Sequence, residues 1–358
     1  MELTDALAVY AGRRVLVTGH TGFKGSWLSL WLHELNASVT GLALPPETHP
    51  SLFTAACVDG LIDSLTGDIN DLSTVTDAVA HARPEVIFHL AAQPLVRRGY
   101  REPLTTFSTN VMGTLHVLEA ARRQPGVRAV IVVTTDKCYA PSSGPWGHRE
   151  TDPLGGHDPY SASKACAEIA VAAWRSSYED APLMASARAG NVIGGGDWAE
   201  DRIVPDLYRA ARANQPAIIR HPGAVRPWQH VLEPLAGYLQ LGAQLLDGNK
   251  QFASAWNFGP ALEDMQPVSR LCDVLAPALG ARWETPGNLV QHKENPSLRL
   301  DSSKAMLELG WQPRWKLEQT LATTADWYRR HDAGENARDL VIEQIRAYVA
   351  HNMQETVA

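Results

Sequence analysis

The sequence predicts an α/β fold, a doubly wound parallel sheet with a smaller C-terminal α/β domain. Three observations predict it. Short apolar runs recur along the first two-thirds of the chain, segments with helical spacing separate them, and a glycine-rich turn follows the first run. Strands covered on both faces read as continuous apolar runs rather than as alternation. Strand alternating with helix implies βαβ units with right-handed crossovers.

Arg14-Val15-Leu16-Val17-Thr18 is the first run, and Trp27, Leu28, Leu30, Trp31, Leu32 and Leu35 then recur at helical spacing. Residues 38–43 read as a second strand, 85–90 as a third, and 129–134 (Ala-Val-Ile-Val-Val-Thr) as a fourth. Helices are expected over 72–82, 105–123 and 161–177. Near residue 190 the texture changes: Gly194-Gly195-Gly196-Asp197 reads as a loop, and Pro205, Pro216, Pro222 and Pro227 punctuate short segments. Residues 255–258 can return a strand to the main sheet, and 266–331 reads as helices joined by loops. The expected organisation is a nucleotide-binding core over 1–190, with a returning segment near 229–262. A substrate-binding domain is expected from 191–228 and 263–358.

A length of 358 residues suits two domains that share a core. A formal net charge of −7 with no long basic run argues against a nucleic-acid binder, while leaving room for a local cationic pocket. Cys57, Cys138, Cys166 and Cys272 are widely spaced, with no C-x-x-C pair and no Cys/His cluster. No disulfide framework or metal site is expected, and a reducing compartment fits. The first ten residues carry Glu2 and Asp5 and do not read as a signal peptide. No apolar run approaches the roughly 18 residues needed to span a bilayer. The expectation is a cytoplasmic protein with no membrane partner.

Gly19-His-Thr-Gly22-Phe-Lys-Gly25 follows the first strand and opens the first helix. Glycines allow close backbone approach, and helix N–H groups attract a diphosphate, as in Rossmann-type dinucleotide sites. The spacing is G-x-x-G-x-x-G rather than G-x-G-x-x-G, so taken singly it also suits a tight turn without a ligand. Residues 40–46 carry neither the carboxylate expected for an adenosine ribose nor a cluster of Arg or Lys for a 2′-phosphate. Lacking that basic partner, the stretch favours NAD over NADP.

Tyr160-Ser-Ala-Ser-Lys164 opens a later helix, where positions i and i+4 share one face. A nearby ammonium favours phenolate and is expected to lower the tyrosine pKa from about 10. Tyr160 then becomes a base for a sugar hydroxyl. A solitary Y-x-x-x-K occurs on many exposed helices as a solvated pair. The order of glycine turn, apolar strand ending in Thr134-Thr135, and then Tyr160 and Lys164 favours chemistry.

Thr18-Gly19-x-x-Gly22-x-x-Gly25, Gly67-Asp68-Ile69, His89-Leu90-Ala91-Ala92-Gln93, Asn110-Val111-Met112-Gly113-Thr114 and Tyr160-x-x-x-Lys164 together resemble the extended short-chain dehydrogenase/reductase family. The resemblance covers essentially the whole chain, in order. It implies cofactor contacts from Gly19, Thr21, Gly22, Phe23, Lys24, Gly25, Asp68, Ile69, Ala91, Ala92, Tyr160 and Lys164, with Asp68 meeting the adenine. Thr135 maps to the hydroxyl partner of the tyrosine. Where the nucleotide-sugar 4,6-dehydratases of the family carry Thr-Asp-Glu, this chain has Thr135-Asp136-Lys137. Thr135 to Tyr139, Ala91 to Arg97, Arg188 to Trp198 and Arg226 to His230 resemble the members that act on CDP-glucose.

The reaction this implies is an internal redox cycle. The sugar is oxidised at C4, water is lost across C5 and C6, and hydride returns to C6, giving a 4-keto-6-deoxy sugar of deoxysugar and surface O-antigen polysaccharide synthesis. The resemblance assigns Asp136 as the acid for the C6 hydroxyl. Lys137 is assigned the C5 base, with stabilisation of the enolate as its rival role. Gln93, Asn191 and Arg226, and less directly Arg202 and Arg299, are expected to hold the substrate. His89 and His230 read as structural, and Trp198, Trp228 and Trp256 as core. The family's pairing through helices 105–123 and 161–177 implies a homodimer, with pairing of dimers left open. Two other functions fit the fold. A nucleotide-sugar 4-epimerase needs no acid and base at 136–137, and a non-catalytic NAD-binding regulator would have a broken tyrosine–lysine pair.

Overall fold

The computed structural model describes residues 3–141, 144, 146–286 and 298–351, so parts of the expected 263–358 segment, at 287–297 and 352–358, lie outside the described residues. Seven strands form the main sheet. They are β1 (Arg14–Thr18), β2 (Ser38–Ala43), β3 (Asp63–Thr66), β4 (Val86–His89), β5 (Ala129–Val133), β6 (Leu183–Ala189) and β7 (Ala255–Phe258). Their order is β7-β6-β5-β4-β1-β2-β3, and every pairing is parallel. The order reverses between β1 and β4, and a crevice outside the carboxyl ends of strands at such a reversal is where ligands bind in open α/β sheets.

The central strands are apolar because both faces are covered. Leu16, Ile87 and Val130 enter a core with the helices Leu72–Ala82 and Gly113–Arg123, whereas Val15, Val17, Phe88 and Ile131 enter the larger core on the opposite face. That larger core also takes Trp27 and Trp31 from helix Phe23–Glu34, most of helix Leu232–Leu246, and Trp327, Tyr328 and Tyr348 from the last two helices. One apolar core therefore runs from the first strand into the C-terminal third.

Two strands exceed the expectation. Asp63–Thr66 is a polar edge strand, and Leu183–Ala189 (Leu-Met-Ala-Ser-Ala-Arg-Ala) lacks the β-branched residues that mark a strand. The expected 105–123 helix is also divided. It runs as Pro103–Phe107, a π-helical turn at Ser108–Met112, and Gly113–Arg123. At the π turn the Asn110 side chain is drawn off the helix, donating to the Gln93 carbonyl at 3.1 Å and the Ser163 hydroxyl at 2.9 Å. Gln93 N–H returns a 2.9 Å bond to Asn110 Oδ1. Such insertions are frequent next to functional sites.

Among the described residues no helix is long and apolar enough to cross a membrane, and no group of three or more His, Cys, Asp or Glu side chains is placed to hold a metal ion.

Candidate active site

A cavity of about 900 Å³ opens at the carboxyl ends of β1, β4, β5 and β6. At its inner end the glycine turn joins β1 to helix Phe23–Glu34. A Cβ on Gly25 would stand 2.1 Å from the Gly19 carbonyl oxygen, and one on Gly19 2.7 Å from Ala91 N. Helix start, strand end and the 90–92 segment are thus in backbone contact, and Gly19 adopts a φ of 77°. Gly22 is the helix N-cap and offers no side-chain hydrogen bond, which leaves the helix start to an anionic ligand. Thr21 is turned to the loop after β2, donating to the Leu44 carbonyl at 2.8 Å. Asp68 and Ile69, after β3, close the side of the cavity, and Asn70 N–H holds Asp68 Oδ1 at 2.9 Å. Uncapped helix start, glycine cradle and the Asp68 carboxylate fit a dinucleotide.

The chemical groups gather where β5 ends. Thr135, Asp136, Lys137, Tyr160 and Lys164 all line the cavity. Helix Pro159–Ser177 starts with Asp158 as its N-cap, accepting from Ser161 N–H at 2.9 Å, which sets the first turn against the cavity. The Thr135 hydroxyl bonds the Tyr160 phenol. It also stands 3.0 Å from Asp136 Oδ1. Lys137 Nζ lies 3.6 Å from the same oxygen, with its side chain partly exposed. Lys164 Nζ donates to the Val133 carbonyl at 3.1 Å.

Burial corrects the expected tyrosine pKa. It pushes the Tyr160 phenol up to about 12, and the Thr135 hydrogen bond only partly opposes it. Burial also brings the Lys164 ammonium down to about 8, against the pull of the Glu168 carboxylate. Desolvation disfavours the charged form of either group and is the largest cause of both shifts.

Glu168 is the base of a buried network. It takes a 2.7 Å bond from Arg188, a 2.6 Å bond from the Ser186 hydroxyl and a short bond from Thr134. Arg188 in turn bonds the Tyr139 hydroxyl at 2.7 Å, and Tyr139 bonds Asn257 on β7 at 2.7 Å. β5, β6, β7 and the catalytic helix are thereby joined beneath Lys164.

Of the expected substrate contacts, Gln93, Asn191, Arg202 and Arg226 line the cavity. Gln93 is anchored within the fold, its amide donating to Thr106 at 2.8 Å and accepting from Leu95 N–H at 2.7 Å. Asn191 sits at φ 44°, after the end of β6. Arg202 pairs with Asp197 at 3.0 Å, which holds its guanidinium charged, and it acts electrostatically on the Tyr160 phenol. Arg299 stands next to the cavity-lining Leu298 in the chain. It is not among the described residues that line the cavity, and its carbonyl accepts from His148 N–H at 2.9 Å, which ties its segment to the 148 loop.

Cavity cations outside that set include Arg97 and Arg220, both paired to Asp201 at 3.1 and 3.3 Å, and Arg98, paired to Glu47 at 2.7 Å. Arg97 ends the Ala91–Arg97 string, whereas nothing in the local sequence marks Arg220. Lys24 faces Asp136, Asp197, Arg202 and Lys164, and burial with the neighbouring cations brings it down to about 7. Arg97 and Arg220 share the single carboxylate of Asp201, which suits a diphosphate in a chain whose net charge is −7. His89 bonds Thr18 and Thr114 inside the sheet, and His230 packs edge-on to Trp27. Trp256 lies wholly in the core, while the buried Trp198 and Trp228 also reach the cavity wall.

A doubly wound sheet with a glycine-lined dinucleotide cradle and a threonine–tyrosine–lysine corner defines a nicotinamide-dependent enzyme of the dehydrogenase type. Residues 15–252 match the NAD dependent epimerase/dehydratase family, and the chain belongs to it. It is 48% identical over 336 residues to the CDP-glucose 4,6-dehydratase of Salmonella typhimurium, covering 91% of this chain and 93% of that one. It is 30% identical to the UDP-glucose 4-epimerase of Mycolicibacterium smegmatis, over 88% of this chain and 98% of that one. Among solved structures, the dTDP-glucose 4,6-dehydratase DesIV of Streptomyces venezuelae, with NAD and TYD bound, superposes with a TM-score of 0.76. The two share 25% identity over 91% of this chain and 99% of that one.

Proposed function

We propose that the chain is an NAD-dependent hydro-lyase that converts CDP-D-glucose to CDP-4-dehydro-6-deoxy-D-glucose and water. The observation that carries this reading is the placing of Asp136 and Lys137 beside Thr135, Tyr160 and Lys164 on one cavity wall, in a chain 48% identical to a CDP-glucose 4,6-dehydratase. Epimerisation at C4 uses the hydroxyl, phenol and ammonium and has no need of the other two.

Gly19, Gly22 and Gly25, with Phe23, Asp68, Ile69, Ala91 and Ala92, hold the dinucleotide. When bound, NAD supplies the hydride acceptor and donor that interconverts alcohol and ketone. Tyr160 takes the proton from the C4 hydroxyl, and Lys164 and Arg202 favour the phenolate as it forms. A C4 ketone acidifies the C5 proton. Lys137 removes it and Asp136 protonates the departing C6 hydroxyl, so water leaves as the carbon–carbon double bond forms. Asn191 and Arg226, with Arg202, hold the diphosphate. The buried wall around Asp136 excludes bulk water from the corner.

The finer reading is a cytoplasmic homodimer serving deoxysugar synthesis for O-antigen polysaccharide. Leu104, Phe107, Met112 and Ile169 are large apolar side chains left exposed along 103–112 and the catalytic helix, which supports pairing there.

Incubating the protein with CDP-glucose and NAD and following the sugar by NMR tests the reaction. Loss of the H4 signal and of the C6 methylene protons, with appearance of a C6 methyl doublet coupled to H5, is the expected result. CDP-galactose would point to the epimerase, and unchanged substrate would overturn the proposal. Product formed without added NAD indicates cofactor retained through purification.

A further inference from the structure

Gly190 follows β6 and lines the cavity opposite the β5 corner. A Cβ placed on it would fall 1.8 Å from Asp136 Oδ2, 2.1 Å from its Cγ and 2.7 Å from Oδ1. Contacts under 3.0 Å do not survive, so either the backbone or the carboxyl would have to move. Gly190 is not among the glycines with positive φ, so its backbone conformation is open to any L-residue. The three nearest atoms that a side chain there would strike all belong to the Asp136 carboxyl.

Neither partner can retreat easily. The preceding residue, Ala189, is paired with Phe258 in the sheet, and the Gln229 amide donates to both the Gly190 carbonyl at 3.3 Å and the Phe258 carbonyl at 2.8 Å. Asp136 is wholly buried. Its Oδ1 is committed to Thr135 at 3.0 Å and Lys137 at 3.6 Å. Its Oδ2 lies in the glycine gap and has no hydrogen-bond partner among the described residues.

From this geometry we infer that Gly190 is a positioning residue for the Asp136 carboxyl, its missing side chain forming the slot that sets which oxygen faces Thr135 and Lys137. The inference rests on the dehydratase reading above, in which Asp136 serves elimination and Tyr160 serves oxidation. Filling the slot rotates or displaces the carboxyl while Thr135, Tyr160 and Lys164 stay in place. Gly190→Ala should therefore separate two steps that ordinarily run together. C4 oxidation continues and C6 dehydration slows.

The experiment is a single turnover of CDP-glucose on the NAD-loaded enzyme, following reduced cofactor at 340 nm and methyl product by NMR. For Gly190→Ala the expected result is a transient of reduced cofactor absent or smaller in the parent, with dehydration slowed about 10–100-fold, up to the lower end of the roughly 10²–10⁴-fold that a proton donor contributes, since the carboxyl is displaced rather than removed. A double-mutant cycle guards against a folding defect. In an Asp136→Ala background the carboxyl is gone and the new Cβ has room. There Gly190→Ala should neither lower the melting temperature nor slow the residual elimination further. Equal slowing of oxidation and dehydration would overturn the inference, as would undiminished turnover or the same loss in both backgrounds. If the parent protein leaves CDP-glucose unchanged, the dehydratase reading fails instead, and the slot is then judged by the melting temperatures of the cycle.

Discussion

The two ends of the cavity are built in opposite ways. At the end of β1 the binding surface is made by leaving atoms out. Gly19 and Gly25 bring strand, helix and the 90–92 segment into backbone contact, and Gly22 leaves the helix start uncapped. At the end of β5 the site is made by burying charge: Asp136, Lys164, Glu168 and Arg188 are all taken out of water, Glu168 and Arg188 held by each other, Lys164 by the Val133 carbonyl and Asp136 by Thr135. A site made by omission fails when atoms are added, and a site made of buried charge fails when they are removed.

The largest expected effect belongs to the charged end. Tyr160→Phe removes only a hydroxyl, keeps the ring in its place, and should lower kcat by about 10²–10⁴-fold while NAD still binds. Steady-state kinetics with cofactor titration by fluorescence checks both halves. Retained turnover would move the C4 proton to another group.

Glu168→Gln probes the same end one layer down. It leaves the Arg188 guanidinium buried without its counter-charge, a change that costs on the order of 3–5 kcal/mol when a buried pair is broken. Loss of the carboxylate also removes what supports the Lys164 ammonium against burial, so its pKa falls below about 8. The alkaline limb of the pH–rate profile should move to lower pH. Denaturant unfolding and that profile test the two effects separately. An unmoved alkaline limb would reduce Glu168 to a structural part.

At the other end, Gly25→Ala adds one carbon. Because the nearest atoms are backbone of residues 19 and 20, no side chain can yield, and a cost of about 1–3 kcal/mol is expected, with weakened NAD binding. Thermal melting with and without NAD measures it. A protein that binds NAD normally would show that the helix start can shift, and the contrast between the two ends would lose its steric half.

The contrast also explains what could be read in the sequence. The glycine turn is a short stretch, so Gly19, Gly22 and Gly25 show themselves by their spacing once the strand before and the helix after are read with it. Tyr160 and Lys164 do so as well, and Glu168 repeats the same four-residue interval. Gly190 carries no such mark, because what it accommodates lies past the end of another strand. β6 was obscured for the same reason. Its Ser186 and Arg188 serve the buried network rather than the sheet surface, so it reads as a small-residue polar stretch. Thr135-Asp136-Lys137 was legible as a string, but the direction of the Tyr160 shift was not, since burial is a property of the assembled fold. Arg220 meets Asp201, which also pairs with Arg97, only in the assembled fold.

The smallest effect concerns a buried carboxylate that, unlike Glu168, has no side-chain ion pair among the described residues. Glu233, on helix Leu232–Leu246, accepts from Arg314 N–H at 3.0 Å, Trp315 N–H at 2.7 Å and the Tyr348 hydroxyl at 2.7 Å. These bonds favour the carboxylate, yet burial outweighs them and pushes it up to about 7. The folded chain therefore holds this proton more tightly than the unfolded chain, whose glutamate titrates near its ordinary value. Stability from Glu233 is present in full at pH below that ordinary value and is lost as pH rises toward 7. Glu233→Gln keeps an acceptor for the two backbone donors and cannot titrate. Compared with the parent, its melting temperature should rise by roughly a few degrees as the pH goes from 5 to 7, and then stay level. A difference that does not change across that interval would mean that the Arg314, Trp315 and Tyr348 donors offset burial completely, and that carboxylates buried with and without a counter-charge behave alike in this fold.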